Sequence, residues 1–118
     1  MKPGKTGITR IVAAARYSWK GLRSTWQTEA AFRQEVVACL LLAPWIFFFE
    51  LTGVERALLL SSLILVLIVE LLNSSIEAVV DRIGTEHSEL SGKAKDAGSA
   101  AVLLTILLAT AIWILILI

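Results

Sequence analysis

Hydrophobic positions fall into three blocks along this chain. The first runs from Val36 to Phe49 and is interrupted by Pro44. The second runs from Ala57 to Val69 and continues as an amphipathic stretch through Val80. The third runs from Ala100 to Ile118, with two threonines as its polar interruptions. The third block alone approaches the roughly 20 residues that span a bilayer. The first two are long enough only if their charged ends enter the membrane zone. The pattern predicts an all-α membrane protein with spans over about 29–50, 55–82 and 92–118.

The second block carries a row of polar groups. Glu70, Asn73, Glu77 and Asp81 recur at steps of three and four. A helix puts them on one narrow face. Leu71, Leu72, Ile76, Ala78 and Val79 cover the rest. An ionisable side chain inside hydrocarbon is costly and marks a functional site by default.

A separate amphipathic element precedes the spans, within a segment 1–27 distinct from the membrane domain 28–118. Ile8, Ile11, Val12, Ala15, Trp19, Leu22 and Trp26 repeat at helical spacing. Arg10, Arg16, Lys20 and Arg23 lie off that stripe. The pattern fits a helix lying in the headgroup plane, with cations toward anionic lipid. The competing reading is a soluble amphipathic helix packed on the protein.

Composition agrees with the membrane class: the 118 residues are 57% hydrophobic. The net charge of +1 names no partner, and no nucleic acid is expected. Cys39 is the one cysteine, so neither an intrachain disulfide nor a cysteine metal site is available. No apolar core with a cleavage site precedes Arg23, so no signal peptide is expected.

Charge placement orients the spans. Seven basic residues precede the first apolar block, three (Arg82, Lys93, Lys95) lie between the second and third, and only Arg56 lies between the first and second. This bias predicts a cytoplasmic N-terminus and 81–96 loop, with the C-terminus outward.

Counting depth at 1.5 Å per residue places Glu35 about 22 Å inward of Glu50, and Glu70 about 20 Å inward of Ala57. The two thus share a level. Glu29, Glu77, Lys95 and Asp96 share a second level near the cytoplasmic surface. Carboxylates and an amide at an interface suit Mg²⁺, which takes oxygen ligands and usually also holds substrate phosphates. Glu29 and Glu77 are the natural ligands, with Asn73 beside them. Lys95 offers a point charge for phosphate. Glu70, deeper, sits where a general base could act on a group arriving from the lipid. Transfer of phosphate from a nucleotide to a lipid hydroxyl fits this set. No Walker sequence is present: His87 and Ala94 stand where that motif around Gly92-Lys93 needs glycine and Ser or Thr.

Three blocks carry a family resemblance: Glu29-Ala-Ala-Phe-Arg-Gln-Glu35, Glu70-Leu-Leu-Asn-Ser-Ser-Ile-Glu-Ala-Val-Val-Asp-Arg82 and Lys93-Ala-Lys-Asp-Ala-Gly-Ser-Ala-Ala101. In this order and spacing the chain resembles the prokaryotic diacylglycerol kinases from about Thr6 to its end. The resemblance implies an ATP- and Mg²⁺-dependent enzyme making phosphatidic acid from diacylglycerol at the inner membrane. It also implies a homotrimer with active sites shared between neighbours. It implies Glu70 as catalytic base, Glu29 and Glu77 as metal ligands and Asn73 in support. It puts Arg10, Tyr17, Glu29, Glu77, Asp81, Lys95 and Asp96 on the nucleotide, and Arg10, Trp19, Glu35, Glu70 and Ser99 on the lipid. The chain departs from the family pattern at Ala13 and Arg16, where lysine and glycine are expected.

Other readings remain open at this level. An undecaprenol kinase of the same family keeps the mechanism and changes the acceptor. A proton- or cation-conducting protein would use Glu70 and Glu35 as a relay. A non-catalytic membrane subunit would need no depth match. Glu29 and Arg33, four apart, have the spacing of an ion pair, and Arg33 can equally meet Glu35 or Glu70. Ser91 reads as the cap of the third span. Trp19, Trp26, Trp45 and Trp113 read as interface anchors. His87 reads as a solvated residue or a nucleotide edge contact.

Overall fold

The structure, a computed structural model, describes residues 6–83 and 88–118. His87 lies outside the described residues. Four helices follow one another: α1 (Gly7–Thr28), α2 (Ala30–Phe48), α3 (Gly53–Ile83) and α4 (Glu89–Leu117). The last three are long and apolar enough to cross a membrane. At 1.5 Å per residue, the 31 residues of α3 reach about 46 Å, well beyond a 30 Å hydrocarbon core. Its polar end therefore projects past the lipid tails.

α1 enters through Gly7 at φ 60°, a left-handed geometry that a side chain would strain. Its apolar stripe is not packed on the protein: Ile8 is 79% exposed and Trp19 65%. The single buried residue of α1 is Ala13, which lies off that stripe. A stripe turned away from its own chain favours the lipid-facing reading over the packed soluble helix.

α1 and α2 are separated by one non-helical residue, Glu29, at φ −115° and ψ 107°. The guanidinium of Arg33 reaches back across this bend and donates to the carbonyls of Trp26 (2.7 Å) and Gln27 (3.3 Å). A helix end leaves carbonyls without partners, and a cation satisfies both their hydrogen bonds and the helix dipole. The ion pair that the Glu29–Arg33 spacing allows does not form. Among the described residues the one ion pair is Lys95–Asp81. Replacing Arg33 by methionine should cost about 1 kcal/mol, as for a typical hydrogen bond at a partly solvated site. Faster amide hydrogen exchange at Glu29, whose N–H bonds Thr25 O, would show it; unchanged exchange would deny Arg33 this role.

The outer turn is tied from both sides. Thr52 and Glu55 form a reciprocal capping box: Thr52 N–H donates to the Glu55 carboxylate (2.8 Å), and Glu55 N–H to Thr52 Oγ1 (3.1 Å). Arg56 donates to the carbonyls of Ile46 and Phe49 at the end of α2. Below this turn Ile46, Leu59 and Leu63 form a core, with Cys39, Ala43, Ile112 and Trp113 packed around it. Trp113 is not the interface anchor that its place in the sequence suggests. Its indole N–H donates to Ser62 Oγ at 3.0 Å, joining α4 to α3. In lipid, interhelical hydrogen bonds and close packing replace the hydrophobic force as the glue. Trp45 does face outward, stacked on Phe49 and edge-on to Phe48.

α4 begins three residues earlier than Ser91 would place it. The cap is Ser88, whose hydroxyl accepts from Ser91 N–H at 3.0 Å. Ser91 sits at the third helical position: its backbone N–H donates to the cap, and its hydroxyl accepts from Ser88 Oγ at 2.8 Å.

Candidate active site

The site is built mainly along the α3–α4 seam, the most heavily packed pair in the molecule, with α2 closing its upper end. Spacing on α3 sets the order: Glu70, Asn73, Glu77 and Asp81 descend one face toward the helix end. Exposure grades with them. Glu70 is 6% exposed, Asn73 and Glu77 are half-buried, and Asp81 is open to solvent.

Each polar group meets a neighbour at its own level. The Glu70 carboxyl lies against that of Glu35 on α2, at the level the depth count predicts. One turn lower, Asn73 Nδ2 donates to Glu77 Oε1 at 3.3 Å. Lower still, Lys95 of α4 pairs with Asp81 at 2.7 Å. Both partners are well solvated, so the pair is weak and the lysine is free to exchange onto a phosphate.

Two acceptors at this site have no hydrogen-bond partner among the described residues: Glu35 Oε2 and Asn73 Oδ1. Buried polar atoms in native proteins are nearly always paired. These two are suited to a donor or a cation that arrives with substrate.

Glu29 approaches from the other side. It is half-buried at the α1–α2 bend and lines a cleft of about 280 Å³ with Thr28, Ser74, Ser75 and Ala78. Ala78 is the residue after Glu77, so Glu29 meets α3 at the level of Glu77 but around the helix from it. Among the described residues no three metal-ligating side chains converge. Two carboxylates still fit Mg²⁺, which keeps several water or phosphate ligands and needs few from protein.

The remaining predicted residues divide by face. Arg10 and Tyr17 are seven apart on the polar side of α1, with Lys20 Nζ 5.9 Å from the Tyr17 ring. Trp19 lies on the opposite side, in an apolar groove with Leu22, Trp26, Phe32 and Val36. Tyr17, predicted on the nucleotide, and Trp19, predicted on the lipid, thus occupy different faces of one helix, and Arg10, predicted on both, lies on the Tyr17 side. Asp96 and Ser99 are exposed on α4, and neither makes a side-chain hydrogen bond or ion pair to the polar row among the described residues. A second cavity, about 430 Å³, opens between α2 and α4; Glu35 stands at its inner end and Leu63, Thr110 and Trp113 line its outer part.

Comparison with known proteins gives the family of the chain. The profile of the family described as "Prokaryotic diacylglycerol kinase" matches residues 16–117. A diacylglycerol kinase of Escherichia coli K12 is 57% identical over 117 residues, covering 99% of this chain and 96% of the relative. One from Haemophilus influenzae is 46% identical, covering 92% of each chain. One from Helicobacter pylori is 40% identical over 94% of this chain and 87% of its own. A match of this extent and identity, carried on three membrane-spanning helices, makes the chain a member of the prokaryotic diacylglycerol kinase family.

Proposed function

We propose that this chain phosphorylates diacylglycerol from ATP at the cytoplasmic surface of the bacterial inner membrane, with Glu70 as general base. The kinase activity follows from the family and from relatives that match nearly end to end. The observation that supports the role of Glu70 is its burial: a 6% exposed carboxylate one turn above the Asn73–Glu77 pair and in contact with Glu35.

The lipid brings its hydroxyl from the bilayer side, where the cavity beside Glu35 can take an acyl chain. The nucleotide approaches from water, where Asp81, Lys95 and Asp96 lie. The hydroxyl oxygen attacks the γ-phosphorus, its proton passes to the Glu70 carboxylate, and the bond to the β–γ bridging oxygen breaks with its electron pair leaving on ADP. Glu35 orients the Glu70 carboxyl, Asn73 orients Glu77, and Lys95 and Arg10 bind phosphate charge. Glu29 and Glu77 would hold the Mg²⁺, which when bound would neutralise phosphate charge.

A conducting role has less support. Three hydroxyls of the outer half are already used: Ser62 donates to Leu59 O, Thr105 to Ala101 O and Thr110 to Ile106 O. No polar chain continues outward from Glu70 among the described residues.

Phosphate transfer from labelled ATP, with Mg²⁺ in mixed micelles, tests the reading. Diacylglycerol and undecaprenol are offered separately. Labelled phosphatidic acid is expected. Label on undecaprenol alone would move the chain to the other acceptor, and no transfer from folded protein would remove the kinase reading.

The assembly is expected to be a homotrimer with shared sites. One protomer leaves most of its span surface uncovered: the apolar windows of α2 and α4 are 11% and 6% buried. It also leaves Glu29 around the helix from Glu77. Crosslinking in micelles should give a ladder that stops at trimer; active protein that never passes monomer would refute it.

A further inference from the structure

We propose that Gly98 is a positioning residue for the Asn73–Glu77 pair, and through it for phosphoryl transfer. Gly98 is buried where α4 crosses α3. A Cβ at this position would stand closer to Asn73 Oδ1 than van der Waals contact allows, 3.3 Å from Asn73 Cγ and 3.9 Å from Ile76 Cδ1. Gly21 and Gly53, also on helices, have open space where a Cβ would stand. Of these three helical glycines, close approach is particular to Gly98. Glycine inside a helix is conformationally costly compared with alanine, and the Asn73 side chain is what accounts for it here.

The direction of the carboxamide follows from elementary chemistry. The Glu77 carboxylate only accepts hydrogen bonds, so the NH₂ end of Asn73 must face it, and it does so at 3.3 Å. The oxygen end is then turned to α4, and only a residue without a Cβ leaves room. That oxygen is buried and without a hydrogen-bond partner among the described residues. The bare Cα of Gly98 thus lets one amide serve two purposes. Its nitrogen fixes Glu77, and its oxygen is held unpaired at the level of the reaction.

Alanine at position 98 should not break the fold. It is the better helix former, and the atom it meets is the far end of a side chain that can rotate. What it should break is the hold of Asn73 on Glu77. This inference rests on the placement of Asn73 and Glu77 in the reaction site. Its test compares Gly98→Ala, Asn73→Ala and the double variant as full-length protein in micelles, with oligomeric state and melting temperature as fold controls.

Gly98→Ala is expected to lower kcat about 10- to 100-fold, the usual cost of losing a group that orients a ligand. The KM for diacylglycerol should stay within about twofold. The Asn73 side-chain amide signals in a ¹⁵N spectrum should move. In the Asn73→Ala background the same change should be silent to within about twofold, because the atom it displaces is gone. An equal loss in both backgrounds would overturn the proposal, since Gly98 would then act on helix packing alone. If Gly98→Ala fails to fold, the double variant decides: turnover and fold equal to Asn73→Ala support the proposal, and any further loss overturns it. An impaired Asn73→Ala beside an unaffected Gly98→Ala would overturn the role of Gly98 alone. An unaffected Asn73→Ala would overturn the site placement and this proposal with it.

Discussion

Glu70→Gln should lower turnover by about 10²- to 10⁴-fold, the range that a positioned general base contributes, in protein that remains folded. The change is close to isosteric, and the half of Glu70 that matters structurally survives it. A glutamine amide can still hydrogen-bond Glu35, which in the native protein meets the Glu70 carboxyl directly. What disappears is the ability to accept a proton from the lipid hydroxyl. Glu35→Gln should cost less, because it leaves that acceptor in place and removes only a partner. The measurement is kcat for phosphatidic acid formation in both variants, with melting temperature alongside. A Glu70→Gln enzyme within about tenfold of native would mean that the hydroxyl loses its proton elsewhere, and that the buried carboxylate is structural.

This ordering depends on a ladder that is largely legible in the sequence. Helical period defines the face shared by Glu70, Asn73, Glu77 and Asp81, and depth counting brings Glu35 to Glu70 from a different helix. Both succeed for one reason: a membrane span is nearly straight, so residue number converts to height. Sequence reasoning fails where height is not the deciding variable. Charge spacing matches Arg33 with carboxylates, whereas its real partners are backbone carbonyls freed at a bend one residue long. Composition sends Trp113 to the interface, but rotation about the helix axis turns its indole to Ser62. Ser91 and Ser88 are both good caps, and only the observed start of α4 chooses between them. The Thr52-Gly-Val-Glu55 capping box, by contrast, has a spacing that is readable without coordinates. Gly98 has no such signal, because nothing in its own sequence neighbourhood says that an asparagine on another helix lies against it.

Glu77→Gln should raise the Mg²⁺ concentration needed for half-maximal activity by at least about 10- to 100-fold. That is the cost usually seen when merely a supporting partner of a metal ligand is lost, and Glu77 is proposed as a ligand itself. Asn73 gives the internal comparison. It donates to Glu77 Oε1, so Asn73→Ala should shift the Mg²⁺ dependence in the same direction and by less. Glu70→Gln, which leaves both proposed ligands intact, should lose turnover without that shift. The three variants together separate the two functions that the α3 row combines. Deep in the row a carboxylate takes a proton, and about two turns of helix below it a carboxylate binds charge. Titration of Mg²⁺ at fixed ATP and lipid, followed by direct metal binding to the protein without lipid, reads this out. An unchanged Mg²⁺ dependence in Glu77→Gln would sink the ligand assignment, leaving Glu77 as an acceptor that does no more than orient Asn73.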